Sequence, residues 1–151
     1  MKLKKLANYA INFGVNRVIE IVGMGIVITG ILLLISLISF SPDDPNFIFP
    51  NNTKIKNILG FQGSFAADIF FQSFGTIALL IPFSLILSGL NLILNKKILL
   101  ILENIFYTIL YSLFGSLFFS FFYPVAFKLY INGNGGFIGK IFRNNFFKFY
   151  S

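Results

Sequence analysis

The chain contains no cysteine and no histidine. Their absence excludes disulfides, thiolate catalysis, haem ligation by histidine and the usual zinc sites, because each of these needs one of the two side chains. Charged residues make up only 11% of the sequence, and just five of the 151 residues are acidic. We therefore predict no cofactor, no metal site and no catalytic residue.

Apolar residues fill the place of the missing polar ones. They make up 56% of the chain, including 22 phenylalanines, and the mean hydropathy is +0.84. An ordinary globular domain is about 45–50% apolar and about 25% charged, so a soluble fold could not hide this much apolar surface. The fold class predicted is all-α, an integral membrane helical bundle. The net charge of +7 is spread beside apolar runs, which suits anionic lipid headgroups better than nucleic acid.

The first apolar run covers residues 21–40 and follows a basic tail at residues 1–20. Twenty residues at 1.5 Å each span about 30 Å, the thickness of the hydrocarbon core, so we predict one transmembrane helix. The positive-inside rule places the amino terminus in the cytoplasm. A cleaved signal peptide is the alternative, but the run exceeds the ~7 to 15 residues of such a segment. Within the run, Gly23 and Gly30 are possible helix-packing positions. Just before it, Arg17 and Glu20 are expected to pair.

A polar loop with a short interfacial helix is predicted for residues 41–70. Pro42 and Pro45 each remove a backbone donor, so the preceding helix must stop near Phe40. Asp43 and Asp44 are a weak candidate cation site, because no further oxygen ligands accompany them. We interpret them as solvated loop charges.

The second span is predicted at residues 71–94. A carboxylate at the bilayer centre costs about 3 kcal/mol, so the span should begin after Asp68. Ser64 is then the expected N-cap of a short helix, with Asp68 one turn inside it. A proton relay or ion pair is the alternative role for Asp68. Pro82 is expected to bend the span.

A cytoplasmic turn at residues 95–104 and a third span at residues 105–127 complete the predicted bundle. Lys96 and Lys97 mark the turn as cytoplasmic, with Glu103 expected beside one of them. Three serines, four residues apart, form a ridge in the third span that would let another helix approach closely: Ser112, Ser116 and Ser120. We expect this ridge to support self-association. The alternative is a serine stripe in which each hydroxyl bonds its own helix.

A glycine-rich loop and an amphipathic tail occupy residues 128–151. Residues 133–140 do not form a phosphate loop. The pattern G-x-x-x-x-G-K needs a glycine where Asn134 stands, and Ile141 replaces the Ser or Thr that would hold magnesium. Residues 137–150 are too short and too charged to span a bilayer. We predict a helix lying along the outer membrane interface rather than a nucleic-acid surface.

The polar loop and the start of the second run carry the sequences SPDDPNF and GFQGSFAADIFFQSFG. These resemble the segment that joins the first two spans in the amino-terminal membrane domain of FtsK/SpoIIIE-type DNA translocases. A later G-G-x-x-G element resembles the one that precedes a fourth span in that family. The chain differs in having Ile58 for a leucine and Ser64 for an alanine. The matching positions are Ser41, Pro42, Asp44, Pro45, Phe47, Asn57, Gly60, Gly63, Ala67, Asp68, Gly75, Gly135, Gly136 and Gly139.

The resemblance implies a membrane anchor and assembly module of a DNA translocase that acts in cell division and chromosome segregation. It implies residence in the bacterial cytoplasmic membrane, contact with lipids, self-association and contact with other division-site membrane proteins. The sequence contains no motor motif, so we expect a split or truncated translocase with its motor encoded separately, or an excerpt of a longer protein. This segment is not expected to bind nucleic acid. A small transporter or channel subunit, or an inactive remnant, are the alternatives.

Overall fold

Helices form all the regular structure in residues 2–45, 54–123 and 132–148, which are the residues that the computed structural model describes. Three helical segments there are long and apolar enough to cross a membrane, Asn8–Ile38, Gly60–Asn95 and Leu99–Phe122. The prediction of an all-α membrane bundle with three spans is therefore confirmed. The elements are α1 (Lys2–Ile38), α2 (Gly60–Phe74), a 3-10 helix (Gly75–Leu79), α3 (Leu80–Asn95), α4 (Leu99–Phe122) and α5 (Gly136–Lys148).

Helix α1 is longer than the predicted first span. It begins at Lys2, so the segment that we treated as a basic tail continues the same helix. Its 37 residues reach about 55 Å, well beyond the ~30 Å of a hydrocarbon core. The helix ends at Ile38, shortly before Pro42 and Pro45. Most side chains between residues 8 and 18 are exposed, such as Tyr9 and Val18.

Helices α1 and α3 pack antiparallel at very short range. A Cβ added to Gly23 would lie 2.7 Å from Ile93 Cγ1, and one added to Gly30 would lie 2.8 Å from Ile86 Cγ1. The two backbones therefore approach more closely than larger residues would permit, as glycine contacts between membrane helices allow. Gly89 faces Gly23 O from the α3 side. We call Gly23, Gly30 and Gly89 the glycine seam.

Glu20 links α1 to the residue that follows the end of α3. It accepts hydrogen bonds from Arg17 within α1 and from Lys96 Nζ just after α3, the latter at 2.7 Å. The expected Arg17–Glu20 pair is present. Lys96 thus pairs with Glu20, and the expectation that Lys96 or Lys97 stands beside Glu103 stays a prediction.

The second apolar run is not one straight helix. Gly75 adopts φ 66° and ψ −142°, which ends α2, and the 3-10 helix leads from there into α3. Pro82 is the third residue of α3 and has no N–H to donate to the carbonyl of Ala78, which accepts the Leu80 N–H at the end of the 3-10 helix instead. The irregularity therefore precedes Pro82 by a turn, as expected from the missing N–H.

Helices α2 and α5 both lie at the end of the bundle where α1 and α4 end. Helix α2 meets the last turns of α1, with the Phe71 ring 4.9 Å from that of Phe40. Helix α4 runs antiparallel to α3, and Tyr111 hydrogen-bonds Ser84 at 2.8 Å. The beginning of α5 packs between α2 and α4. The core beneath α2 consists of Leu33, Leu37, Ala67, Phe71, Ala78 and Ile81.

The glycine seam yields a prediction with a matched control inside one helix. Gly30→Leu should lower the free energy of unfolding by about 2 kcal/mol, because overpacking a close contact costs about 1–3 kcal/mol. Gly25→Leu should change it by less than about 0.5 kcal/mol, because no atom lies within 4 Å of a Cβ there. Unfolding in mixed detergent and SDS micelles, followed by circular dichroism, measures both. Equal losses for the two variants would refute the seam.

Candidate functional site

A buried carboxylate closes the loop between α1 and α2. Asp44 is only 5% exposed, and its two oxygens accept the backbone N–H groups of Lys56 at 2.8 Å and Asn57 at 2.9 Å. Both oxygens are thereby engaged with the chain's own backbone. The interpretation of Asp44 as a solvated loop charge is therefore wrong, and a cation there would have to displace backbone donors.

Asp43, the neighbouring carboxylate, behaves differently. It is exposed and accepts a hydrogen bond from Lys56 Nζ at 2.9 Å. This hydrogen bond, aided by the attraction of the two charges, raises the pKa of Lys56 above its ordinary value. Asp43 thus matches the predicted solvated loop charge, and the two adjacent aspartates form a natural pair for comparison.

Asn57 joins the end of α1 to the beginning of α2. The side chain is 5% exposed, and Nδ2 donates to Ser36 O at 2.9 Å and Ser39 O at 3.3 Å. The Ser36 carbonyl belongs to the last turn of α1, where intrahelical donors run out, and the Ser39 carbonyl follows directly after the helix. On its other side, Oδ1 accepts the N–H of Leu59 at 3.0 Å. One side-chain amide therefore links the end of α1 to the residue that precedes α2.

The first turn of α2 fits against Asn57 and α1. Ser36 Oγ donates to Gly63 O at 2.5 Å, and a Cβ on Gly63 would collide with Asn57 Oδ1. Ser64 Oγ donates to Pro45 O at 3.3 Å. We call the set Ser36, Asp44, Asn57, Gly63 and Ser64 the α1–α2 clamp.

The N-cap role that we predicted for Ser64 is wrong. Helix α2 begins at Gly60 with Leu59 at the N-cap position. The Asn57 side chain, and not that of Ser64, accepts the N–H of Leu59. Ser64 is consequently inside the helix and buried. Asp68 lies in the third turn, half-buried, rather than one turn after a cap.

A second cluster forms where the glycine-rich segment docks on the 3-10 helix. The Thr76 N–H donates to Asn134 O at 2.9 Å, and Asn134 Nδ2 donates to Tyr123 O at 3.0 Å. A Cβ on Gly75 would lie 2.5 Å from the Asn134 carbonyl carbon. Nearby, Asn132 Nδ2 donates to Gln72 Oε1 at 3.2 Å. We call this set the α2–α5 latch.

The serine ridge of α4 is covered by the beginning of α5. Cβ atoms on Gly135 and Gly139 would lie 2.8 Å and 2.9 Å from Ser120 Cβ. Ser116 is fully buried and donates to Phe74 O at 3.1 Å. The prediction that this ridge is a packing face is right in kind, but its partner is α5 of the same chain.

Self-association through the predicted faces is therefore corrected. Gly23 and Gly30 face α3, and the serine ridge faces α5 and the 3-10 helix, where Ile77 meets Gly115. Ser112, the third member of the ridge, is 2% exposed. Leucines at Ser112 and Ser116 would disturb the chain's own packing rather than only an intermolecular contact.

Helix α5 is docked on the bundle through its first half. Arg143 Nη1 donates to Ser120 O at 3.2 Å, in the last turn of α4, where a cation is favoured by the helix dipole. Gly136, with φ 64°, lies against the backbone of Ser73 and Gly75. Whether α5 also lies along the membrane interface stays a prediction.

The predicted motif residues separate into these two clusters. Asp44, Pro45, Asn57, Gly60, Gly63 and Ala67 lie in or beside the α1–α2 clamp, and Gly75, Gly135, Gly136 and Gly139 lie in or beside the α2–α5 latch. Ser41 O accepts the Asp44 N–H at 3.2 Å, and Pro42 is exposed. Phe47 is outside the described residues. Sequence reasoning missed Ser36 and Asn134, although Asn57 and the adjacent glycines were signals that a partner exists.

The buried polar residues Asp44, Asn57 and Asn134 of the two clusters bind the chain's own backbone, and the helices between the clusters can cross a membrane. This arrangement defines a helical membrane domain whose polar residues brace its helix ends. The chain matches the family described as the "4TM region of DNA translocase FtsK/SpoIIIE" over residues 15–149, and it belongs to that family.

Two curated relatives carry the name "DNA translocase FtsK". The protein from Rickettsia bellii (strain RML369-C) is 34% identical over 83 residues, which cover 55% of this chain and 11% of that protein. The protein from Rickettsia typhi (strain ATCC VR-144 / Wilmington) is 34% identical over 64 residues, 42% of this chain and 9% of that protein. The matched part is thus about a tenth of each relative. No solved structure matches the chain.

Proposed function

We propose that this chain is the membrane anchor and assembly module of an FtsK-like DNA translocase. The observation that carries the proposal is the family match over residues 15–149, together with the relatives named as translocases. The two clusters support an anchoring role, because they fix the ends of four helices against one another. DNA movement and nucleotide hydrolysis belong, in this proposal, to a motor outside these residues.

The sequence supports the separation of anchor from motor. Phosphoryl transfer needs a loop that cradles the phosphates, a Ser or Thr that holds magnesium, and an acidic partner. In sequence, residues 133–140 come nearest to such a phosphate-binding loop. Within them, Gly135 and Gly139 pack against Ser116 and Ser120. We infer that the module contacts other division-site membrane proteins and copies of itself through surfaces other than its glycine seam.

The orientation proposed is a cytoplasmic start of α1 in the bacterial cytoplasmic membrane. Lysines near the amino terminus and at Lys96 and Lys97 favour this sense under the positive-inside rule. A transporter or channel, the alternative class, would need paired ionisable groups or broken helices facing a path at mid-membrane. The Glu20 ion pairs lie instead where α3 ends, and Lys56–Asp43 lies in the loop.

Because the chain lacks cysteine, single introduced cysteines report the orientation cleanly. Asn8→Cys in α1 and Lys54→Cys in the α1–α2 loop both replace exposed residues. In intact spheroplasts, an impermeant maleimide should label Lys54→Cys and leave Asn8→Cys unlabelled until the membrane is opened. Labelling of Asn8→Cys alone would reverse the topology.

A further inference from the structure

An apolar groove opens between α1, α2 and α3 near the end of the bundle that carries the α1–α2 clamp. Its volume is about 460 Å³, and its walls include Thr29, Leu32 and Ser36 from α1 and Gly63, Ala66 and Phe70 from α2. The mouth is lateral, since Thr29, Leu32 and Gln62 at its edge are exposed. We propose that this groove holds an acyl chain of a membrane lipid.

The depth of the groove places hydrocarbon at its mouth. Its α1 wall extends from Thr29 to Ser36, within the membrane-spanning segment Asn8–Ile38. Thr29 is nine residues before Ile38, about 14 Å along the helix, which is close to half of a ~30 Å hydrocarbon core. The groove therefore lies within one leaflet, where lipid chains are its nearest neighbours.

The hydroxyls of the two α1 side chains in the wall are already bonded inside the protein, and Gln62 lies at the exposed edge. Ser36 Oγ donates to Gly63 O at 2.5 Å, and Thr29 Oγ1 donates to Gly25 O at 2.9 Å. An enclosed water needs two to four polar partners, and apolar cavities without them stay dry and accept apolar ligands. Leaving the groove empty would forfeit dispersion contacts on all its walls. A hydrocarbon chain meets both conditions.

The size of the groove favours a lipid chain over a second protein helix. Three turns of a helix about 10 Å across occupy roughly 1,300 Å³, which is far more than the 460 Å³ present. Helix α2 also crosses one end of the groove, so a straight helix could not follow α1 past Ser36. A flexible single chain fits such a short concave space.

The absence of tryptophan in the chain makes the proposal testable by fluorescence. Phe70→Trp places the reporter in the groove wall, and Phe83→Trp places the control on an exposed position of α3 outside it. Phosphatidylcholine with brominated acyl chains, added to the detergent-solubilised protein, quenches tryptophan on contact. Quenching of Phe70→Trp should saturate, with its midpoint at about tenfold lower lipid fraction than for Phe83→Trp, equivalent to about 1.4 kcal/mol.

A groove-filling substitution completes the test. Adding Ala66→Leu to Phe70→Trp should abolish the saturation and make its curve follow that of Phe83→Trp. If this variant loses helical circular dichroism, Leu32→Phe, which fills the groove from its exposed mouth, takes its place. Coincident curves for the two reporters, or saturation that persists after filling, would overturn the proposal. A Phe70→Trp reporter shielded from quenching in crosslinkable dimers would also overturn it, by showing a second copy in the groove.

Discussion

Replacing Asp44 by alanine should lower the free energy of unfolding by about 3 kcal/mol. The carboxylate accepts two backbone N–H groups in a nearly water-free position, and a hydrogen bond to a charged group contributes about 1.5–3 kcal/mol. Its loss also leaves buried donors without a partner. Unfolding in SDS and detergent mixtures, followed by circular dichroism, measures the loss.

Asp43→Ala is the matched control, since it removes an adjacent carboxylate of the same charge. Asp43 is exposed, and its partner Lys56 is exposed as well, so solvent and salt screen their attraction. We expect little change in stability from this variant. Equal effects of the two substitutions would show that the charge of the loop matters and that the buried hydrogen bonds do not.

Replacing Gly75 by alanine should be the most damaging glycine substitution at the junction of α2 and the 3-10 helix. The residue combines φ 66° with ψ −142°, a conformation essentially restricted to glycine, which strains other residues by about 1–3 kcal/mol. The added Cβ would also collide with the Asn134 carbonyl. We expect a loss of at least about 3 kcal/mol and release of the α2–α5 latch.

Gly60→Ala separates strain from collision. Gly60 has the same positive φ of 66°, but no atom lies within 4 Å of a Cβ there. This variant should lose only the backbone preference, about 1 kcal/mol. Release of the latch is detected as faster proteolysis after Arg143 in Gly75→Ala. If Gly60→Ala is as damaging and as readily cleaved, then the contact with Asn134 does not hold α5 in place.

Asp44→Ala and Gly75→Ala act at the same end of the bundle. The α1–α2 clamp fixes where α2 leaves α1, and the α2–α5 latch fixes where α5 returns to α2 and α4. Since Ser36, Asn57 and Gly63 link directly through hydrogen bonds and close contact, a change at one should be felt at the others. The bundle is thus braced at the end where α1 and α4 end, far along α1 from exposed side chains such as Tyr9 and Val18.

The spans were accessible from sequence because long apolar runs and their cationic flanks are local signals. The end of α1 followed from Pro42 and Pro45, which act on the residues immediately before them. The helical character of residues 2–20 was missed because four cations and three asparagines interrupt the apolar pattern there and hid its continuity with the span. Backbone hydrogen bonding, which does not depend on apolar side chains, carries the helix through it.

Long-range contacts were not accessible in this way. Asp44 looked solvated because the two N–H groups that donate to its carboxylate, those of Lys56 and Asn57, lie twelve and thirteen residues further along the chain. The serine ridge was recognised as a packing face, yet nothing in its spacing distinguishes a second copy from α5. Ser64 looked like an N-cap by residue type alone, whereas the cap depends on where Asn57 points.

The location of the chain in dividing cells tests the central claim, that it anchors and assembles a division-site translocase, most directly. A fluorescent protein fused to the amino terminus, which we place in the cytoplasm, reports it in a bacterium with a marked division septum. We predict a fluorescent band at the septum for the parent chain and for Asp43→Ala, and even labelling of the membrane for Asp44→Ala. An even distribution of the parent chain in cells that are visibly dividing would contradict the account.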